Sequence, residues 1–160
     1  MHDHYGGFWR RLLAFCIDLA VLNLVYAILL FAGALSHILG RVAGGASWTD
    51  AAAGVGAGFS LLYVPAVFAV TVLYFTYFIA VSGQTPGKML LGLQVRRAAG
   101  GDMTFGIALL RLAGYLVSAA VFYLGFLWIV CDPRKQGWHD KIAGTVVFRL
   151  RSPAPGPEET

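Results

Sequence analysis

The stretch RRLLAFCIDLAVLNLVYAILLFAGAL, residues 10–35, decides how this chain is read. From Leu12 to Leu35 it carries one charged side chain, Asp18. About 20 apolar residues in a helix cross roughly 30 Å of hydrocarbon, and this run is longer than that. A carboxylate at membrane depth costs several kcal/mol unless it is paired, hydrated or protonated, so Asp18 marks a candidate functional site. Interhelical hydrogen bonding is the structural role that such a residue can fill instead. Arg10 and Arg11, directly before the run, have the character of a cytoplasmic anchor.

The rest of the composition agrees with a membrane protein. Of 160 residues, 58% are hydrophobic and only 12% are charged, and the mean hydropathy is +0.70. Soluble domains hold about 25% charged residues. The net charge of +4 does not point to nucleic acid, because the basic residues flank apolar runs and form no patch on a polar face. Cys16 and Cys131 lie in or beside apolar runs with no C-x-x-C, which reads as two small apolar residues and not as a disulfide or metal site. Ala32-Gly33-Ala34 has the look of a signal-peptide cleavage site, but the run before it is too long and contains Asp18, so a retained span is expected.

A second span is expected over Val55 to Val81, which has no charged residue. Pro65 is a candidate kink, and Tyr74, Phe75, Tyr77 and Phe78 are candidates for an interfacial belt. Ser36 to Gly54 reads as a small-residue loop. Ser82 to Met103 reads as a polar connector holding Gly83-Gln84-Thr85-Pro86-Gly87-Lys88. That turn lacks the glycine spacing and the following Ser or Thr of a phosphate loop. A third apolar segment runs from Thr104, a candidate N-cap, to Cys131, where Asp132-Pro133 ends it.

Lysine and arginine placement puts the N-terminus and the connector in the cytoplasm. A single crossing by the third segment would export Arg134, Lys135, Lys141, Arg149 and Arg151. Two readings remain: an ordinary third span with an exported tail, or a re-entrant helical hairpin broken near Gly114 or around Tyr123-Leu124-Gly125. Leu93 to Arg97 and Thr145 to Leu150 are short β-prone runs that could pair only on one side of the membrane, which favours the return. The expected fold is therefore an all-α membrane protein with two full transmembrane helices, a third embedded segment and a short cytoplasmic β-ribbon. Residues 7–150 would form one membrane domain, and residues 151–160 a disordered Pro-rich tail.

The candidate site residues are few. Arg11 and Asp18 are two helical turns apart and share a face. Arg111, seven residues past Thr104, reaches a depth like that of Asp18, and an Asp18–Arg111 pair would cancel two costly charges. Snorkelling of Arg111 to the surface is the alternative. His139 beside Asp140 invites a catalytic or metal reading, but no further ligand or nucleophile stands at suitable spacing. A membrane-surface loop anchored by Trp138 is the reading adopted there. His2 and His4 read as a frayed terminus.

Three separated groups of residues also carry a family likeness. They are Arg11-Leu12-Leu13-Ala14 with Ile17-Asp18; Gly83 to Lys88 with Leu91-Gly92-Leu93-Gln94-Val95; and Asp132-Pro133 with Trp138-His139-Asp140 and Ala143-Gly144-Thr145. In this order they resemble the RDD family of bacterial membrane proteins, named for one arginine and two aspartates. The resemblance implies that Arg11 is the arginine, Asp18 the first aspartate, and Asp140 or else Asp132 the second. It implies a plasma-membrane protein of poorly defined function, with transport suggested and cation/proton exchange proposed for some members.

The expectation is thus a small transporter or cation/proton exchanger whose ion site draws on Asp18, Arg11, Arg111, Asp140, Asp132 and His139. Asp18 would bind a proton or cation. No enzyme activity, cofactor or metal is expected. The partners would be the lipid bilayer and a second copy or another membrane protein, since three segments hardly enclose a pathway. The alternative is an accessory or scaffold subunit whose buried charges fix helix packing.

Overall fold

The computed structural model describes residues 5–150, with only the main chain described over residues 57–60. The expectations for His2, His4 and the tail 151–160 fall outside these residues. The first helix, α1, spans Phe8–Ala43, 36 residues, and contains the whole quoted stretch. A short α2 (Trp48–Ala53) follows, with the Ser47 hydroxyl accepting from the Asp50 amide as an N-cap. Then comes α3, Ala57–Ser82, which stays helical through Pro65. The expected loop after the first span is thus largely helical. Hydropathy marks where lipid ends, and a helix can run on into water wherever no strong breaker stands.

These long helices are apolar enough to cross a membrane, and their side chains face outward: Phe31 is 72% exposed and Leu61 75%. A soluble protein does not display apolar surface on this scale.

After α3 the chain forms α4 (Pro86–Leu90) and β1 (Leu93–Arg97). Helix α5 (Phe105–Ala120) starts at the expected cap, with Thr104 Oγ1 accepting from the Ile107 amide. It meets α6 (Leu124–Cys131) at a bend of 100°. The break falls at Phe122 and Tyr123, both with positive φ, and not at Gly114, which lies inside α5. Sixteen residues rise about 24 Å and eight about 12 Å, so neither arm alone spans about 30 Å.

A short α7 (Trp138–Ile142) leads into β2 (Thr145–Arg149). The two strands pair antiparallel, Val95 opposite Val147, as their β-prone composition suggests. This ribbon ties the segment before α5 to the segment after α7, so the bent pair leaves and returns to one place.

By packing, the chain divides into two compact units. One comprises the residues up to Asp18 and those from Tyr74 onward. Its apolar core is Ala14, Ile79, Leu93, Val95, Ala108 and Val147. The other is Leu19–Leu73, where Tyr26 and Thr71 share a 2.6 Å hydroxyl hydrogen bond and Tyr63 Oη donates to the Tyr26 carbonyl.

Candidate functional site

All of the chemistry singled out above lies in the first unit, and it is organised around two aspartates. Asp18 is completely buried. Its Oδ1 accepts from the Tyr74 hydroxyl at 2.9 Å and from the Gly87 amide at 2.7 Å, and its Oδ2 accepts from the Thr85 hydroxyl at 2.5 Å. No ion pair forms at Asp18 among the described residues. The expected Asp18–Arg111 pair is not made. A carboxylate can be satisfied by several well-directed neutral donors as well as by a cation, and here the connector supplies two of the three.

The Gly83–Lys88 turn owes its sequence to this contact. Thr85 stands at the N-cap of α4 with its hydroxyl turned to Asp18, and Pro86 opens the helix where an amide hydrogen has no partner to lose. A Cβ on Gly87 would lie 2.1 Å from the Ala14 carbonyl oxygen, so only glycine lets α4 approach α1 closely enough for its amide to reach Asp18. Tyr74, expected in an interfacial belt, turns inward for the same reason.

Asp140 is also completely buried, but cations surround it. Arg11 Nη1 donates to Oδ2 at 2.5 Å. Arg111 Nη1 forms an ion pair with Oδ1 while directing its hydrogen bond to Thr145 Oγ1 at 2.5 Å. Asp140 Oδ2 also accepts from the Gly137 amide at 3.0 Å, capping its own helix. The remaining nitrogens of Arg11 are used: Nε donates to the Gly6 carbonyl and Nη2 to the Lys135 carbonyl. Arg111 Nε donates to the Tyr115 hydroxyl at 3.2 Å. Arg111 is 2% exposed, so it does not snorkel.

The surface-loop reading of residues 132–141 is therefore corrected. His139 and Asp140 are core residues, because α5 and α6 close over them. Gly114 makes this possible: a Cβ there would lie 2.6 Å from the His139 Cα. The His139 ring sits 4.4 Å from the Tyr115 ring and 5.1 Å from Phe126, centroid to centroid. Burial lowers the His139 imidazole to about 3, against the opposing pull of Asp140, so it is neutral at physiological pH. For Asp140, burial favours the neutral acid, but the Arg111 charge, then His139 and Arg11, outweigh it and hold the carboxyl well below its usual range.

Asp132 stands apart from this cluster. It pairs with Lys141 at 2.6 Å and accepts from the Arg134 and Gln136 amides at 3.1 Å each, which shapes the loop between α6 and α7. The hydrogen bond from Lys141 leads the interactions that keep Asp132 below the ordinary carboxylate range.

The structure thus brings together Arg11, Arg111, His139 and Asp140, sets Asp18 in a separate hydroxyl-and-amide pocket, and leaves Asp132 at the edge. Four residues absent from the sequence expectation contribute: Tyr74, Thr85, Gly87 and Thr145. A fifth, Lys88, is 93% buried. The turn motif holds three of these, Thr85, Gly87 and Lys88, and it reads as a connector turn and part of the family likeness without any sign of a contact to Asp18. Tyr115, one helical turn past Arg111, was visible as a neighbour by spacing alone.

This fold and site define a class: a small helical membrane protein in which one arginine from each of two apolar helices, α1 and α5, converges on an aspartate of a short helix, α7. Comparison with known proteins identifies the family. A family model described as the RDD family matches residues 5–144, and the chain belongs to that family. It is also 32% identical over 149 residues to a protein of Bacillus subtilis (strain 168) described as "Uncharacterized protein YxaI", covering 90% of this chain and 97% of that one. No solved structure matches.

Proposed function

We propose that this RDD protein is a small ion transporter of the bacterial plasma membrane and that the Asp140 cluster is its ion-handling element. The observation that carries this reading is the depth of charge in a lipid-facing protein: Arg11, Lys88, Arg111, Asp18 and Asp140 are each at least 92% buried. Ionisable groups retained within a membrane domain are costly and mark ion or substrate pathways by default. Cation/proton exchange is the form suggested by the family resemblance.

Within this reading Asp18 locks the connector to α1, and Asp140 with its two arginines is the part that changes state. Both chain ends lie in the cytoplasm. The Lys and Arg bias supports that placement, and so does the ribbon, which needs residues 93–97 and 145–149 on the same side. Two long helices and a bent pair enclose no pathway alone, so the working unit is a homo-oligomer or a complex with another membrane protein.

The second reading is an accessory or scaffold subunit. One observation favours it: every carboxylate oxygen of Asp18 and Asp140 already faces a protein donor or cation. Flux measurements on protein-containing vesicles separate the two. With ion gradients imposed and a pH dye inside, transport predicts protein-dependent flux. Arg111→Lys should reduce that flux at least tenfold while the helical circular dichroism is retained. No wild-type flux under any gradient supports the scaffold reading. Labelling a cysteine placed at Ser152 only from outside the cell would overturn the orientation.

A further inference from the structure

Away from the two aspartate sites, a cavity of about 610 Å³ opens between the last turn of α3, β1 and the segment over residues 100–103. That volume lies within the roughly 300–1,000 Å³ of small-molecule sites. Its frame is fixed by close contacts. The Val95 amide donates to the Gly83 carbonyl at 2.8 Å, and a Cβ on Gly83 would lie 2.6 Å from the Val95 oxygen, so the helix end and the strand meet with no room for a side chain. Gly100 and Gly101, both with positive φ, form the facing turn. The chain of α3 is apolar through Val81 and its candidate span ends at Ser82, so the cavity sits where hydrocarbon gives way to lipid headgroups.

The charged lining of this cavity is Arg96, Arg97 and Asp102. Arg96 is held at one end: its Nε donates to Gln94 Oε1 at 2.9 Å, which leaves both Nη groups unused. Arg97 Nη1 lies 3.5 Å from where a Cβ on Gly101 would stand, so its guanidinium lies along the glycine turn, one residue from Asp102. Even so, no ion pair joins Asp102 to either arginine among the described residues. Water suffices for any one of these exposed groups taken alone. Opposite charges that line one cavity without meeting each other leave separate places for an anion and a cation. Val81, Met103 and Phe148 add an apolar side.

We propose that this cavity binds a phospholipid headgroup carrying a primary amine, with the phosphate on Arg96 and Arg97 and the ammonium on Asp102. Guanidinium groups match phosphate oxygens in geometry and charge, and an ammonium has hydrogens to give a carboxylate. The glycerol and the first methylenes lie against Val81 and Met103. A headgroup with only a phosphate sets Asp102 against a like charge, and a quaternary ammonium has no hydrogen to offer it. Free phosphoethanolamine carries the same two groups; the position at the end of α3 favours the lipid. The inference is independent of the transport reading, since it uses neither the Asp140 cluster nor flux.

The test titrates the full-length protein, delipidated in neutral detergent, with short-chain phosphatidylethanolamine, phosphatidylglycerol and phosphatidylcholine, and measures bound lipid by native mass spectrometry. Wild type should bind the ethanolamine lipid about fivefold more tightly than either of the others. Replacing both arginines, Arg96→Gln with Arg97→Gln, should weaken that binding about tenfold. Asp102→Asn should abolish the preference for ethanolamine and raise the affinity for phosphatidylglycerol. All three side chains are exposed, so the variants should keep the helical circular dichroism of wild type, and the Asp102 variant stands alone if the arginine variant does not fold. Displacement of the lipid by soluble phosphoethanolamine supports the proposal and assigns recognition to the headgroup alone; failure to displace supports it with the intact lipid as ligand. Equal binding of the three lipids by wild type, or tighter binding of phosphatidylglycerol, overturns the proposal, because a plain cationic surface behaves in that way. An ethanolamine preference that survives in both variants overturns it as well.

Discussion

Asp18 and Asp140 are the same side chain at the same degree of burial, and the protein treats them in opposite ways. Asp18 sits in neutral donors: two hydroxyls and one amide from α3, the connector and α4. Asp140 sits among cations from α1 and α5, with one amide added. The first arrangement fixes a turn against a helix, since its donors have no other role to take up. The second holds charges whose balance depends on every member, so a change at one is felt by all. Burial alone therefore does not say what a membrane carboxylate does; the charge of its partners does.

The largest effect is expected where that balance is broken. Asp140→Asn leaves Arg11 and Arg111 buried without a counter-charge, and it should cost about 3–5 kcal/mol of unfolding free energy in a denaturant titration. If Asp140→Asn costs no more than Asp18→Asn, the contrast between the two sites is lost. At the other site the sharpest probe is steric. Gly87→Ala forces a Cβ against the Ala14 carbonyl and should cost about 1–3 kcal/mol, while the Asp140 cluster stays intact. Thr85→Ala should cost about 1–2 kcal/mol by removing one donor from a buried carboxylate.

Acid should act on the Asp140 site through His139. His139 binds its proton far less readily folded than unfolded, so its contribution to stability is complete above about 6.5 and is lost as pH falls from there toward about 3. The slope in that window reaches about 1.4 kcal/mol per pH unit for one proton. Asp140, depressed in the folded state, adds a loss of the same sign below its unfolded value of 3.8. His139→Gln should flatten stability between about pH 6.5 and 4; an unchanged slope would show that the ring is not buried as described. The smallest effect belongs to the periphery. Lys141 is half exposed, so Lys141→Met should change stability by under about 1 kcal/mol despite the 2.6 Å pair with Asp132.

The elements were legible in the sequence where a strong local signal existed. The two long apolar helices follow from hydropathy, α5 from the Thr104 cap, the end of α6 from Asp132-Pro133, and the ribbon from two short β-prone runs. The bend of the third segment falls beside the Tyr123-Leu124-Gly125 break, and the ribbon pairs the strands on either side of it. The site was less so, because pairing between residues 11, 111 and 140 is set by how helices meet, and spacing along one helix says nothing of that. Helical periodicity did place Arg11 and Asp18 on one buried face. It could not show that Arg11 would reach across to Asp140, or that a threonine hydroxyl and a glycine amide would satisfy Asp18. The Trp138-His139-Asp140 segment was misread for the same reason. A polar run looks like a surface loop until the helices that cover it are known, and small residues such as Gly114 in α5 and Gly137 before α7 mark where that cover comes close.

The central claim is that Arg111 belongs to Asp140 and not to Asp18. A double-mutant cycle measures this most directly, using Arg111→Met with Asp140→Asn and, separately, with Asp18→Asn, read as unfolding free energy in lipid-detergent mixed micelles. A coupling above about 1 kcal/mol is predicted for Arg111 with Asp140, and less than about 0.5 kcal/mol for Arg111 with Asp18. The larger coupling appearing between Arg111 and Asp18 would contradict the account.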